Sequence, residues 1–391
     1  MAVEYASRTA PREHAAAGVI AFLRNLDWIL FAAVGALVAY GLWAVAGITR
    51  FDVEGNPNYY VVRQAVAVGI GGVGFLVALA IDPERYRRLQ KPIYVATIVL
   101  MLLVFALADE TRGSRRWIEF GQFQFQPSEF GKLLFVLALA GFLADRARRI
   151  GEARVVVGAI GLAAVPILLV FEQPDLGTAL VYVAALGACL FVAGTRWPHL
   201  LALGAAAVFA AVSVLVLLPK VGVQVLEAYQ RERLIGFTNP DHDPSGTTYN
   251  VTQSVTAIGS GGLDGRGVAG ATQTRLDYLP EHATDFVFAS LAEQRGFFGA
   301  ALLLALYLLV VWRGLRVVTA ARDAFGAIVA GGIVMAFLFQ VFVNVGMTMG
   351  IAPVTGIPLP FVTVGGSSMV VNLVAVGVLL SIAARGRGRA R

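Results

Sequence analysis

Long apolar runs, separated by short polar links, set the pattern of this chain. Stretches of about 20 residues with almost no charge are long enough to cross a bilayer as helices. They fall at 28–48, 62–81, 92–109, 127–145, 154–171, 177–194, 197–218, 285–312, 324–347 and 363–384. The pattern predicts an all-α polytopic membrane protein of about ten spans. A polar N-terminal tail (1–27) precedes a transmembrane domain (28–384), and a basic tail (385–391) ends it. The longest break, 219–284 between spans seven and eight, reads as a large extracytoplasmic loop. It holds a short amphipathic stretch, "VLEAYQRERLIGF", a turn-rich "NPDHDPSGTTY", and a glycine-rich "IGSGGLDGRGVAG" that reads as flexible.

Composition agrees. The 391 residues are 58% hydrophobic and 14% charged, with a mean hydropathy of +0.73. The net charge is +6, which raises the question of nucleic acid. The basic residues instead sit in alternate links, around Arg24, Arg85–Lys91, Arg146–Arg154, Arg196, Arg313–Arg322 and Arg385. That is the pattern of an orientation signal, which puts both ends in the cytoplasm. No basic stripe is interleaved with aromatic residues, so no nucleic-acid partner is expected. The lone cysteine, Cys189, excludes an internal disulfide and a cysteine metal cluster. The N-terminal stretch lacks the pattern of a cleavable signal.

Ionisable groups at or near hydrocarbon are costly and mark function. Glu129 and Lys132, in "QPSEFGK", are three residues apart on one helical face. Either they form a structural ion pair, or Lys132 meets an anion from an outer cavity. Arg63 stands near the outer end of span two, as a snorkelling cation or an anion ligand. Asp175 follows Pro174 and suits a helix cap. The segment "GIAPVTGIPLPFVTVGGSSMV" is apolar, yet its prolines forbid regular helix. It must be buried in protein or line a wet cavity, to which Ser367 and Ser368 would add hydroxyls or merely cap the last span. The triplet Asp241–Asp243 reads as a turn. Asp285, in "ATDFVF", has two accounts: with Thr284 it N-caps the eighth span, or it is a reactive carboxylate at the membrane edge.

Six stretches stand in order: "GSRRWIEFGQFQFQPSEFGK", "EQPDLGTALV", "YQRERLIGF", "TYNVTQSVTAIGSGGLDGRG", "TQTRLDYLPEHATDFVFASLAEQRG" and "GIPLPFVTVGGSS". Together they resemble the SEDS family (shape, elongation, division and sporulation) over roughly residues 25–385. "LDYLPE" and "GIPLPF" resemble its RodA branch more than its FtsW branch. The resemblance implies a peptidoglycan glycosyltransferase that polymerises lipid II on the outer face of the cytoplasmic membrane during elongation. Its implied partners are lipid II, the growing glycan strand, a class B penicillin-binding protein and membrane lipids. The family's essential acidic residue falls on Asp285. Its motif positions also include Arg116, Glu129, Lys132 and Arg233. Lys132, Arg63, Arg116 and Arg233 are candidates to face a leaving pyrophosphate, alone or with a divalent cation such as Mg²⁺ or Mn²⁺. A lipid II flippase and a non-catalytic scaffold are the alternatives. One departure stands out: the family's His before Thr-Asp-Phe is here Ala283, and His282 comes one residue earlier.

Overall fold

The computed structural model describes residues 22–108, 116–120, 123–222, 226, 228–238 and 247–387. The Asp241–Asp243 turn, most of the link after span three, and the tail residues Arg8, Arg12, Arg389 and Arg391 lie outside them. The apolar runs are helices: α1 (Trp28–Ile48), α2 (Tyr59–Ala80), α3 (Gln90–Leu107), α4 (Pro127–Ala144), α5 (Ala153–Glu172), α6 (Leu176–Val192) and α7 (Trp197–Val212, running on to Lys220). After two loop helices, α8 (Ala228–Thr238) and α9 (Thr247–Gly261), come α10 (Val287–Ala320), α11 (Ala324–Thr348) and α12 (Gly366–Arg387). Among the described residues, nine of these helices are long and apolar enough to cross a membrane, and α6 is a shorter apolar helix of 17 residues.

The spans are not equally enclosed. α12 is almost wholly buried, packed against α2 and touching α4, α10 and α11. α4 and α11 form the rest of the core with α6. α7 has no buried residue and carries its apolar side chains outward, as a helix bathed in lipid does. The basic links gather on one face. There Arg313 holds Asp27 at 2.6 Å, Arg87 holds Asp145 at 3.0 Å, and Arg385 lies 3.7 Å from Asp82.

On the opposite face two elements differ from the sequence pattern. A two-stranded antiparallel hairpin precedes α4: β1 (Ile118–Phe120) pairs with β2 (Phe123–Phe125). The alternating "FQFQ" carries this signal, but so short a run is swamped by the apolar spans around it. The glycine-rich stretch is not a flexible linker. It continues α9 to Gly261 and then folds into a tight turn against α10.

That turn exists because α10 breaks. Gly296 has φ 63°, ψ −164°, a backbone region open essentially to glycine alone. Residues 287–296, apart from Arg295, are buried, whereas the next two, Phe297 and Phe298, are exposed. A buried ten-residue segment thus precedes the outward-facing part, and the span begins later than its hydropathy suggests. The break frees backbone groups that the turn satisfies: Phe297 N–H donates to Gly262 O at 2.8 Å, and Arg266 N–H to Glu293 O at 2.9 Å. A β-carbon at Gly296 would stand 2.4 Å from Gly265 N and from Leu263 O. Glu293 extends the join, its buried carboxylate accepting from Gln273 N–H, Thr274 N–H and the Thr274 hydroxyl at 2.7–2.9 Å.

Gly296→Ala is therefore expected to destabilise the protein by about 3 kcal/mol or more, from backbone strain plus a clash against main chain that cannot swing away. The check is the thermal midpoint in detergent. A midpoint within about 1 °C of wild type would remove this account of the break.

Candidate active site

Asp285 lies on a turn whose every neighbour is fixed. The chain reverses at Glu281, which takes φ 53°, and its carbonyl accepts the N–H groups of Thr284 (3.2 Å) and Phe286 (3.1 Å). Thr363 Oγ1 donates to Thr284 O at 3.1 Å, and Val364 N–H donates to Ala283 O at 3.1 Å. Asn344, from α11, donates one amide group to both Asp285 O (3.0 Å) and Ile357 O (2.9 Å). The irregular segment 350–365 is thus tied to the Asp285 turn. Gln64 of α2 ties it again, donating to Thr363 O and accepting from Gly365 N–H.

The capping account of Asp285 does not hold. α10 starts at Val287 with Phe286 at the cap position, and no side chain caps it. Thr284 spends its hydroxyl on Glu281 instead. The Asp285 carboxylate faces a cavity of about 180 Å³, walled by Arg116, Trp117, Gln124, Gln126, Asp175 and the 356–368 segment. Gly356 shows who is near. With φ 71° it passes so close that a methyl there would sit 3.5 Å from Asp285 Oδ2 and 3.7 Å from Arg233 Nη1. Carboxylate and guanidinium bracket one glycine.

Arg116 is placed by the turn between α5 and α6. Its Nε donates to Gln173 O at 3.2 Å, its Nη2 to Pro174 O, and its Nη1 lies 4.0 Å from Asp175. Asp175 caps α6 through Thr178 N–H (3.1 Å), as its position after Pro174 suggests, and also accepts from Gln126 (3.2 Å). Ser367 does not simply cap α12. It donates to Gln124 O and accepts from Gln126 N–H, fastening the hairpin to that helix. Ser368 lines the cavity and accepts from Asn372.

The other candidates are spread around this centre. Arg63 lines a larger neighbouring cavity of about 450 Å³, which shares Gln124, Thr284 and Val364–Gly366 with the first; its Nη1 donates to Tyr59 Oη at 3.1 Å. Arg233, on α8, lines two smaller spaces on the other flank, one of which it shares with Arg116. Glu129 and Lys132 stand apart. They pair at 2.7 Å inside the core, nearly fully buried, and neither is on the cavity wall. At these positions their geometry is that of a structural ion pair, and removing one partner would strand the other at a cost of about 3–5 kcal/mol.

Sequence reasoning passed over two residues that set this site and gave a third, Thr363, no partner. Asn344 and Gln64 are buried amides inside apolar spans, a signal visible in the sequence but not tied to any partner there. Thr363, which with Val364 stands where the resembled family usually has Ser-Tyr, lines the cavity and joins the two irregular segments.

Burial raises the pKa of Asp285 to about 6; the nearby Arg233 and Arg116 pull it down, while Glu281 and Asp175 push it up. A carboxyl raised in the folded state binds its proton more tightly there than when unfolded. Its stabilising effect is complete below about pH 4 and is lost as pH rises through about 6. Above that, the ionised group costs up to about 3 kcal/mol. Asp285→Asn should therefore raise the thermal midpoint in detergent at about pH 7.5 and leave it nearly unchanged at about pH 4. Equal midpoints at both pH values would show that Asp285 is not held in a desolvated site.

The profile of the cell cycle protein family FtsW, RodA and SpoVE matches residues 24–388. Stage V sporulation protein E of Bacillus subtilis (strain 168) is 37% identical, covering 90% of this chain and 94% of that protein. The peptidoglycan glycosyltransferase MrdB of Escherichia coli (strain K12) is 36% identical, covering 88% and 91%. A solved structure concerned with the structural coordination of polymerization and crosslinking by a peptidoglycan synthase complex superposes with a TM-score of 0.77 at 31% identity, covering 92% of this chain and 98% of that one. Ten apolar helices among the described residues, the ordered motifs and a match over nearly the whole length leave one conclusion: the chain belongs to the FtsW, RodA and SpoVE family of multi-pass membrane proteins.

Proposed function

We propose that this chain polymerises lipid II into glycan strands during cell elongation, with Asp285 as the general base. As a member of its family the chain is a peptidoglycan glycosyltransferase. The observation that carries the mechanism is the Asp285 carboxylate on the wall of the 180 Å³ cavity with Arg116, beside the larger space lined by Arg63. A polymerase must hold two lipid-linked sugars at once, and two adjoining spaces that share Gln124, Thr284 and Val364–Gly366 suit that need.

The chemistry assigns parts to the residues in place. Asp285 takes the proton of the acceptor sugar hydroxyl as its oxygen bonds to the anomeric carbon of the donor. The bond from that carbon to the pyrophosphate breaks, and the electron pair leaves with the phosphate. Arg116 and Arg233 supply the positive charge that the departing group needs. One base and no second catalytic carboxylate fit direct displacement with inversion. Among the described residues, no three His, Cys, Asp or Glu side chains are grouped to hold a metal ion. A divalent cation here would be carried largely by pyrophosphate oxygens and water.

The charge of the links supports an orientation with both ends in the cytoplasm and the Asp285 face outside, where the precursor is presented. A class B penicillin-binding protein that cross-links the product is the fitting partner. This follows the polymerisation and crosslinking of the related synthase complex.

Polymerisation of lipid II by the purified protein with its partner tests this reading. Asp285→Ala is expected to lower the rate by about 10²–10⁴-fold. The wild-type rate should fall about tenfold per pH unit below about pH 6, as the base takes up its proton. Glycan made by the Asp285→Ala protein at the wild-type rate would refute the base. Lipid II moved across proteoliposomes without polymer would favour the flippase, and full complementation by Asp285→Ala a scaffold.

A further inference from the structure

His282 sits one residue earlier than the family pattern leads one to expect, and the structure gives that shift a consequence. The ring leaves the Asp285 turn and reaches the loop between α1 and α2. Its Nε2 stands 3.1 Å from both carboxylate oxygens of Asp52, and its Nδ1 stands 3.2 Å from Leu279 O. The Asp277 carboxylate approaches Nδ1 to 3.5 Å. Both ring nitrogens therefore face oxygens that can only accept. A neutral imidazole donates from one nitrogen and would turn a lone pair on the other acceptor; only the doubly protonated ring satisfies both.

We propose that His282 is a positioning residue: as an imidazolium clasping Asp52, it fastens the α1–α2 loop to the turn that carries Asp285 and thereby fixes where the base stands. This rests on Asp285 acting as the base. The clasp is enclosed, with the two side chains 12% and 17% exposed, so it is shielded from the solvent that weakens surface pairs. The same residue holds the start of α10, its carbonyl accepting from Ser290 Oγ at 3.2 Å. The loop is joined a second time, by Arg275 over the Phe51 ring.

The charged groups facing the ring are acidic: Asp52 from the loop and Asp277 from its own segment. Glu281 is turned to the Thr284 hydroxyl, and Arg275 donates to Ala269 O. Burial opposes the imidazolium, but the hydrogen bond and charge of Asp52, with Leu279 O and Asp277, outweigh it and hold the proton above the ordinary histidine range. The clasp is whole below that raised value and loses a donor as pH rises through it. Asp285 must be ionised, above about pH 6. The site works between the two.

The test is the rate of lipid II polymerisation by the full protein with its partner, from about pH 5 to about pH 9. Wild type should give a bell. His282→Gln should lower kcat about 10-fold with KM changed less than about 2-fold, and the alkaline limb should vanish. Asp52→Asn should move that limb to lower pH. Wild-type kcat and an unmoved alkaline limb in His282→Gln would overturn the proposal, as would a loss equal at every pH. Should His282→Gln fail to fold, Asp52→Asn decides: a shifted limb supports the clasp and an unmoved one overturns it. If Asp285→Ala is inactive while His282→Gln is unaltered, only the clasp fails. If Asp285→Ala is fully active, the base assignment fails first.

Discussion

A backbone that leaves its helix within a membrane protein must find new partners for the groups it frees, and here that constraint is met at Gly296. The freed donor of Phe297 is met by a second irregular segment, Gly261–Arg266, whose Gly262 carbonyl supplies the acceptor. The two breaks complete one another. A glycine is required at Gly296 by its torsions, and another at Gly265 because its β-carbon would press on Gln294 O at 2.4 Å. The long loop is therefore docked along the buried start of α10, and Glu293 locks it there.

The position of Asp285 follows from this join. Were α10 straight and lipid-facing from its first residue, a carboxylate two residues earlier would lie at the bilayer edge, hydrated and near its ordinary pKa. The buried segment 287–294 instead carries that end of the helix into protein, where the third irregular segment, 350–365, closes over it. Asn344 and Thr363 stitch the two segments together through carbonyls that a helix would have satisfied itself. Desolvation of Asp285 is thus a product of three backbone irregularities, each able to exist only because another covers it.

Much of this was legible in the sequence. Ten apolar helices lie close to the apolar runs, the eighth starting late, the helix of "YQRERLIGF" appears where its amphipathic pattern puts it, and Asp175 caps α6 as its place after Pro174 suggests. What was not legible depends on contacts between distant segments. Glycines in "IGSGGLDGRG" signal conformational freedom but cannot say whether it is used for mobility or for a fixed close approach. Thr284 and Asp285 are good capping residues, and nothing local reveals that the helix starts later. The β1–β2 hairpin is too short for its alternation to stand out. His282 finds its partner 230 residues away, in a loop with no pattern of its own.

The electrostatics of the site involve a tension that its chemistry needs. The cations that would steady a leaving pyrophosphate also depress the pKa of a nearby carboxyl, and a strongly depressed carboxylate is a poor base. In this protein burial is the larger influence on Asp285, with Arg233 and Arg116 opposing it, and the outcome is a pKa of about 6 rather than one below the carboxylate range. Arg116 is also partly engaged by Asp175 and by the carbonyls of Gln173 and Pro174. Its charge is thereby held at the cavity wall rather than collapsed onto Asp285. A carboxyl poised near neutrality, beside a guanidinium whose charge is shared with Asp175 and two carbonyls, is what the proposed base would need next to a leaving pyrophosphate.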